Sequence, residues 1–154
     1  MKIYLGADHA GFELKEYIKK FLLDKGYQVS DEGAYKYNET DDYPDYMKVV
    51  ALQVACEPES RGIIFGGSGE GEAISANRFK GIRAVVYYGK ALEIVKLSRE
   101  HNDANVLSIG ARFVTQTEAE EAILLWLSTA FSNDERHVRR LKKLDGEEVA
   151  ENVF

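Results

Sequence analysis

Cysteine is nearly missing from this chain: Cys56 is the sole one among 154 residues. An internal disulfide is therefore excluded, and a reducing, cytoplasmic location is expected. No apolar run approaches membrane-spanning length, and the start is a lysine and a short apolar segment rather than a signal peptide. Positive charge is also in short supply. Twenty Lys and Arg against 26 Asp and Glu leave a net charge of −6, which argues against nucleic acid or a membrane surface as partner. An anionic small molecule stays open, since it needs just a local basic cluster. The three histidines, His9, His101 and His137, stand far apart, with no HExxH pair and no cysteine cluster. Neither a metal nor another cofactor is expected.

What is present suffices for one domain with a real core, spanning residues 1–154. There is no internal repeat, low-complexity tract or linker. The chain is organised around residues 62–77, Gly-Ile-Ile-Phe-Gly-Gly-Ser-Gly-Glu-Gly-Glu-Ala-Ile-Ser-Ala-Asn. Ile63, Ile64 and Phe65 suit a buried strand, and a helix-compatible run starts near Glu72. Gly66, Gly67, Gly69 and Gly71 lie between them, where backbone amides can converge on an anion or a developing oxyanion. Glu72 stands where a Walker loop has lysine and a dinucleotide fingerprint its third glycine, so neither function fits. Glu70 likewise breaks the nucleophile-elbow pattern around Ser68. The remaining pair, Ser68 and Glu72, suits proton abstraction next to a carbonyl, with Glu72 as base and the amides holding an enediolate. The plain alternative is a tight turn with a solvated glutamate.

In order, the pattern predicts a strand over 2–7, a helix over 11–25 with Gly26 at its end, and a strand over 27–30. A polar loop follows to Tyr43, then a helix from Pro44 to about Cys56. The third strand and glycine loop lead into a short helix ending at Arg78. A fourth strand covers 82–88, a helix 90–100 with His101-Asn102-Asp103 after it, and a fifth strand 105–109. Thr117 is expected to cap the next helix, and Asn133 or Asp134 to open a basic final helix over about 134–145; the last residues look frayed. Strand and helix alternate five times. That predicts a three-layer α/β/α domain with a five-stranded parallel, Rossmann-like sheet, its site beyond the carboxyl ends of the strands. Asp8, His9, Ser68, Glu72 and Arg112 fall there. Asp8-His9 reads either as a turn cap with a surface imidazole or as a substrate contact. His101 reads as a helix-end charge or as a general acid or base. Arg136 and Arg140, four apart on one helix face, read as a solvated face or as a phosphate clamp.

Together these segments resemble the type B ribose-5-phosphate isomerase family, which includes the galactose-6-phosphate isomerase subunits. The resemblance covers nearly the whole chain: Gly-Ala-Asp-His-Ala-Gly-Phe at 6–12, Asp-Tyr-Pro at 42–44, the glycine loop through Asn77, Gly-Ile-Arg-Ala at 81–84, Ser-Arg-Glu-His-Asn-Asp-Ala-Asn at 98–105, and Arg-His-x-x-Arg at 136–140. Many members carry a cysteine base at the position of Gly66. This chain resembles instead the subgroup whose loop reads Gly-Gly-Ser-Gly-x-Gly-Glu, with the glutamate as base. The resemblance implies metal-free interconversion of ribose 5-phosphate and ribulose 5-phosphate through a cis-enediolate, a step of pentose phosphate metabolism; 6-phosphates of allose or galactose are the alternative substrates. It implies catalytic Glu72, Ser68 and His101, the base being an ordinary ionised glutamate. Asp8, His9, Gly67, Gly69, Gly71, Asn102, Arg112, Arg136 and Arg140 would bind substrate. It also implies a homodimer or a dimer of dimers whose pocket combines two chains, with the basic final helix packing on the partner subunit. A binding module without activity is the rival from another class.

Overall fold

The computed structural model describes residues 1–146; the expected fraying of the last residues falls on 147–154, outside the described residues. Strands and helices alternate as β1 (Lys2–Ala7), α1 (Phe12–Asp24), β2 (Gln28–Asp31), α2 (Tyr43–Cys56), β3 (Arg61–Gly66), α3 (Glu70–Ala76), β4 (Ala84–Tyr87), α4 (Leu92–Asn102), β5 (Val106–Gly110), α5 (Gln116–Ser128) and α6 (Glu135–Leu144). The five strands form one parallel sheet in the order β2-β1-β3-β5-β4.

The central strands are apolar at consecutive positions because helices cover both faces of the sheet. Ile3, Leu5, Ile63, Phe65, Leu107 and Ile109 face one way, against Leu14, Ile18 and Leu22 of α1, Val95 of α4, and Ile123 and Trp126 of α5. Tyr4, Ile64 and Val106 face the other, against Met47, Val50 and Val54 of α2 and Ala76 of α3. The fully buried Lys15 ties α1 to the exit of β2, donating to Asp31 Oδ1 and to the Ala34 carbonyl, each at 2.7 Å. Burial pushes the Asp31 carboxyl up, but hydrogen bonds from Lys15 and Lys19 outweigh it and leave the group below its ordinary value.

Two expectations need correction. His101 and Asn102 do not follow α4 but form its last turn. The helix ends where Asp103 adopts a left-handed conformation (φ 45°), not at the first polar residue. The cap of α5 is Thr115, not Thr117. Thr115 is extended and accepts from the Glu118 amide at 3.2 Å, while the Glu118 carboxylate takes the Thr115 amide at 2.8 Å. This capping box fixes the helix start two residues earlier than the acidic cluster suggested.

Thr115→Ala is expected to destabilise the fold by about 1 kcal/mol in thermal or urea denaturation. Thr117→Ala, already inside the helix, should stay within about 0.5 kcal/mol of the parent.

Candidate active site

The chain leaves β1 toward β2 on one side and β3 toward β4 on the other, so the strand order reverses between β1 and β3. In an open parallel sheet such a reversal opens a crevice at the carboxyl ends of the two strands. Asp8 and His9 follow β1 at this crevice, and Gly66 to Gly71 follow β3.

The glycine loop is fastened from below by β5. Ala111 and Arg112 donate their amides to the carbonyls of Gly66 and Gly67, at 2.8 and 3.1 Å. The buried Ser108 hydroxyl donates to the Gly69 carbonyl at 2.6 Å. Gly69 caps α3 with φ +81°, a conformation costly to any side chain. The turn therefore comes out one residue pair early, and α3 begins at Glu70, placing Glu72 in its first turn. Ser68 is exposed on the loop, its hydroxyl oxygen 3.3 Å from the Glu70 amide. Arg112, also exposed, lies across the loop: a Cβ built on Gly67 would be 3.0 Å from its Nη1.

Glu72 does not point into solvent; it is 4% exposed. A Cβ built on Gly66 would overlap the Glu72 carboxylate, so the acid occupies space that the missing side chain leaves free. Burial is the main reason its pKa is raised above the ordinary 4.5, and the nearby charge of Asp8 adds to it. Its own amide, that of Gly69 and the Arg112 charge pull the other way without cancelling the effect. The expectation of an ordinary glutamate is thus replaced by a carboxylate held more basic than usual.

Asp8 is buried, and its Oδ1 accepts the Gly11 amide at 3.1 Å. His9 is held by a residue that the sequence pattern did not single out: Asp41 Oδ1 lies 2.7 Å from His9 Nδ1. Tyr43 is the second omission. Its ring and hydroxyl lie against Gly71, where a Cβ would be 2.9 Å from Cζ and 3.1 Å from the hydroxyl oxygen. Asp8, His9 and Asp41 are also the described residues whose ligand atoms, all within 4.8 Å of one another, could hold a metal ion. The 2.7 Å contact already engages Nδ1 of His9 with Asp41.

The other expected residues sit elsewhere. β4 ends at the crevice level and α4 runs back to the start of β5, which puts His101 and Asn102 at the opposite end of the sheet. Five residues of β5 separate the two ends, roughly 16 Å at the usual rise. There His101 packs against His137 of α6, ring centroids 4.4 Å apart. His137 is buried, its Nδ1 2.8 Å from the Ser132 hydroxyl; burial, then the neighbouring His101 and Arg136, push its pKa down. Arg136 and Arg140 lie exposed on the same helix. One chain thus brings together Asp8, His9, Ser68, Glu72, Arg112 and the glycines, but not His101, Asn102, Arg136 or Arg140.

A cavity of about 800 Å³ opens at that opposite end, between Arg61, Arg83, Arg99, Asp103 and Thr129. Its arginines are consumed structurally. Arg99 donates to Asp103, the Ala104 carbonyl and the Thr129 carbonyl, and Arg83 to Asp103. They close the carboxyl ends of α4 and α5 rather than face a reactant.

Known proteins resemble this chain along nearly its full length. The family model described as Ribose/Galactose Isomerase matches residues 3–144. Ribose-5-phosphate isomerase B of Mycolicibacterium paratuberculosis is 42% identical over 141 residues, 92% of this chain and 87% of that one. The Escherichia coli enzyme of the same name is 40% identical over 151 residues, 98% and 99% of the two chains. Among solved structures, ribose-5-phosphate isomerase B of Clostridium thermocellum superposes with a TM-score of 0.89 at 41% identity, over 96% and 97% of the chains. That of Mycoplasma genitalium, which holds ribulose-5-phosphate, superposes with a TM-score of 0.90 at 34% identity, over 96% and 95%. With a parallel sheet ordered as above, a glycine loop at its switch point and these relatives along nearly its full length, the chain belongs to the ribose/galactose isomerase family of sugar-phosphate isomerases.

Proposed function

We propose that this chain interconverts D-ribose 5-phosphate and D-ribulose 5-phosphate through a cis-enediolate, with Glu72 as the base. The observation that carries the proposal is the buried Glu72 carboxylate lodged against Gly66 at the head of the glycine loop. A solvated turn glutamate would be exposed and unshifted; this one is neither. Its raised pKa brings it nearer to neutral pH, where a general base is most effective. Isomerisation moves one proton between adjacent carbons. Glu72 removes it from C2 and returns it to C1 while the O2 hydroxyl proton passes to O1, so one carboxylate serves both carbon steps and no metal is called for. Amides of the 67–71 loop hold the enediolate oxygen, and Ser68 hydrogen-bonds the reacting oxygens. Asp8 contacts the sugar hydroxyls.

His101, Asn102, Arg136 and Arg140 then come from a second copy. In a two-fold dimer with the sheets side by side and antiparallel, the α4–α6 end of each chain meets the crevice of the other. His101 of one copy opens the furanose ring bound by its mate. Arg136 and Arg140 of that copy join His9 and Arg112 around the phosphate, and α6 packs on the neighbour. Two such sites form per dimer. The relatives named for ribose-5-phosphate isomerase B support the five-carbon substrate. The family's galactose branch makes hexose 6-phosphates the competing substrates to assay beside it.

Proton NMR of ribose 5-phosphate with the protein in heavy water should show ribulose 5-phosphate with deuterium incorporated at the exchanging carbon. Glu72→Gln should reduce kcat by about 10²- to 10⁴-fold while still binding inorganic phosphate. Retained turnover in that variant would refute the base; an inert wild-type protein that binds sugar phosphates would favour the binding module. The same variant has a stability signature. A carboxyl raised in the fold destabilises it while ionised, a penalty present above the raised pKa and gone below the ordinary 4.5. Glu72→Gln should therefore melt higher than wild type at pH 8, with the gain vanishing toward pH 4.

Mixing tests the second copy. Glu72→Gln and His101→Ala chains, each inactive alone, should recover about a quarter of wild-type activity after unfolding and refolding together, because half of the dimers are mixed and one of their two sites is intact. No recovery would place both residues in one chain's site.

A further inference from the structure

Asp41 ends the segment that crosses above the carboxyl end of β1, and one of its oxygens holds His9 twice. Oδ1 lies 2.7 Å from His9 Nδ1 and accepts the His9 backbone amide at 3.0 Å. A carboxylate accepts hydrogen bonds and donates none. The ring hydrogen facing it therefore sits on Nδ1, and Nε2 is the polar atom left for an incoming group. Asp8 is not the holder: its Oδ2 is 3.9 Å from the same nitrogen, and its Oδ1 takes the Gly11 amide.

Asp41 is built for a fixed task rather than for solvation. Its side chain is 4% exposed, and its Oδ2 has no hydrogen-bond partner among the described residues. Buried carboxylate oxygens are ordinarily paired, and the Tyr46 hydroxyl stands close enough to Asp41 for the Asp41 charge, after burial, to help raise its pKa. The surroundings are stiff. The Asp41 amide donates to the Asn38 carbonyl, and the Thr40 amide and hydroxyl both bond Asn38 Oδ1. The Tyr37 ring meets His9 edge-on at 6.4 Å and is backed by Phe12 at the same distance. Ring plane, ring direction and hydrogen position are thus all determined from outside the imidazole.

We propose that Asp41 is a positioning residue: it takes the Nδ1 hydrogen of His9 and so turns Nε2 toward the phosphate of the substrate, where one proton, carried on Nε2 or on the phosphate oxygen, joins the two. A ring free to turn would have to be oriented afresh each time an anion bound. Asp41 therefore acts on binding and not on the proton transfer at Glu72. The identity of the phosphate compound rests on the isomerase reading; the state of the ring does not.

The test uses ¹⁵N NMR of the imidazoles of the whole protein, His9 being assigned by its loss in His9→Gln, at a pH above the titration of the ring. Wild-type His9 should carry its hydrogen on Nδ1, and Asp41→Ala should shift it toward the Nε2–H form. The dissociation constant for inorganic phosphate and the KM for ribose 5-phosphate should each rise about tenfold in Asp41→Ala, with kcat within about twofold of wild type. Asp41→Val, which also offers no acceptor, gives the same reading should the alanine variant fold poorly, and Asp41→Glu should recover part of the affinity. A wild-type ring with its hydrogen on Nε2, or unchanged phosphate affinity in both variants, would overturn the proposal. Were the wild-type protein unable to convert any sugar phosphate, the isomerase reading would fall while the ring and phosphate measurements still decided the role of Asp41.

Discussion

A carboxylate taken out of water beside another carboxylate is the constraint on which this site depends. Glu72 is buried near Asp8, with no salt bridge of its own among the described residues. Charges inside proteins are normally paired because desolvation penalises them strongly. Here the nearest cation, Arg112, acts through space across the glycine loop and offsets the penalty in part. The surrounding architecture serves this placement. Gly66 leaves room for the acid, Gly69 permits the turn that starts α3 early, and Ser108 and the β5 exit pin the loop beneath. The result is a carboxylate whose proton affinity is raised by the same burial that fixes its direction.

The course of a parallel α/β chain explains why one copy holds half of the expected chemistry. Helices return from the carboxyl end of one strand to the amino end of the next, so residues at a helix end and residues after a strand lie on opposite sides of the layer. His101 belongs to the first kind and Glu72 to the second. No loop movement of ordinary size closes the width of the sheet. In the proposed dimer a second chain laid antiparallel would do so by symmetry, and the exposed arginines of α6 would then face an anion instead of solvent.

Much of the fold was readable from the residues because the central strands are apolar on both faces and end in punctuation that strands rarely tolerate. Five strands, their order of appearance and the glycine loop followed from Ile3 to Leu5, Ile63 to Phe65 and Val106 to Ile109. Local polarity misled at two points. His101-Asn102 looks like a loop, yet a helix surface accepts both, and Asp103 ends the turn by its backbone conformation. Thr115 and Thr117 are equally good capping residues, and the choice lies in which has an extended backbone with Glu118 three residues on. Asp41 and Tyr43 were hidden for another reason. Each meets its partner across a long stretch of chain, Asp41 at 32 residues from His9, so no spacing rule could point to the contact.

The close approach of Gly66 and Glu72 also bears on how such a site can change over evolutionary time. Any side chain at 66 and the carboxylate at 72 claim one volume. A lineage cannot add a side chain at 66 while the glutamate keeps its seat, nor, on the proposed mechanism, give up the glutamate first without losing the base. Each single step leads to a crowded or an empty site, so the two positions must change together, and a glycine or a glutamate found at one of them constrains what its neighbour can become.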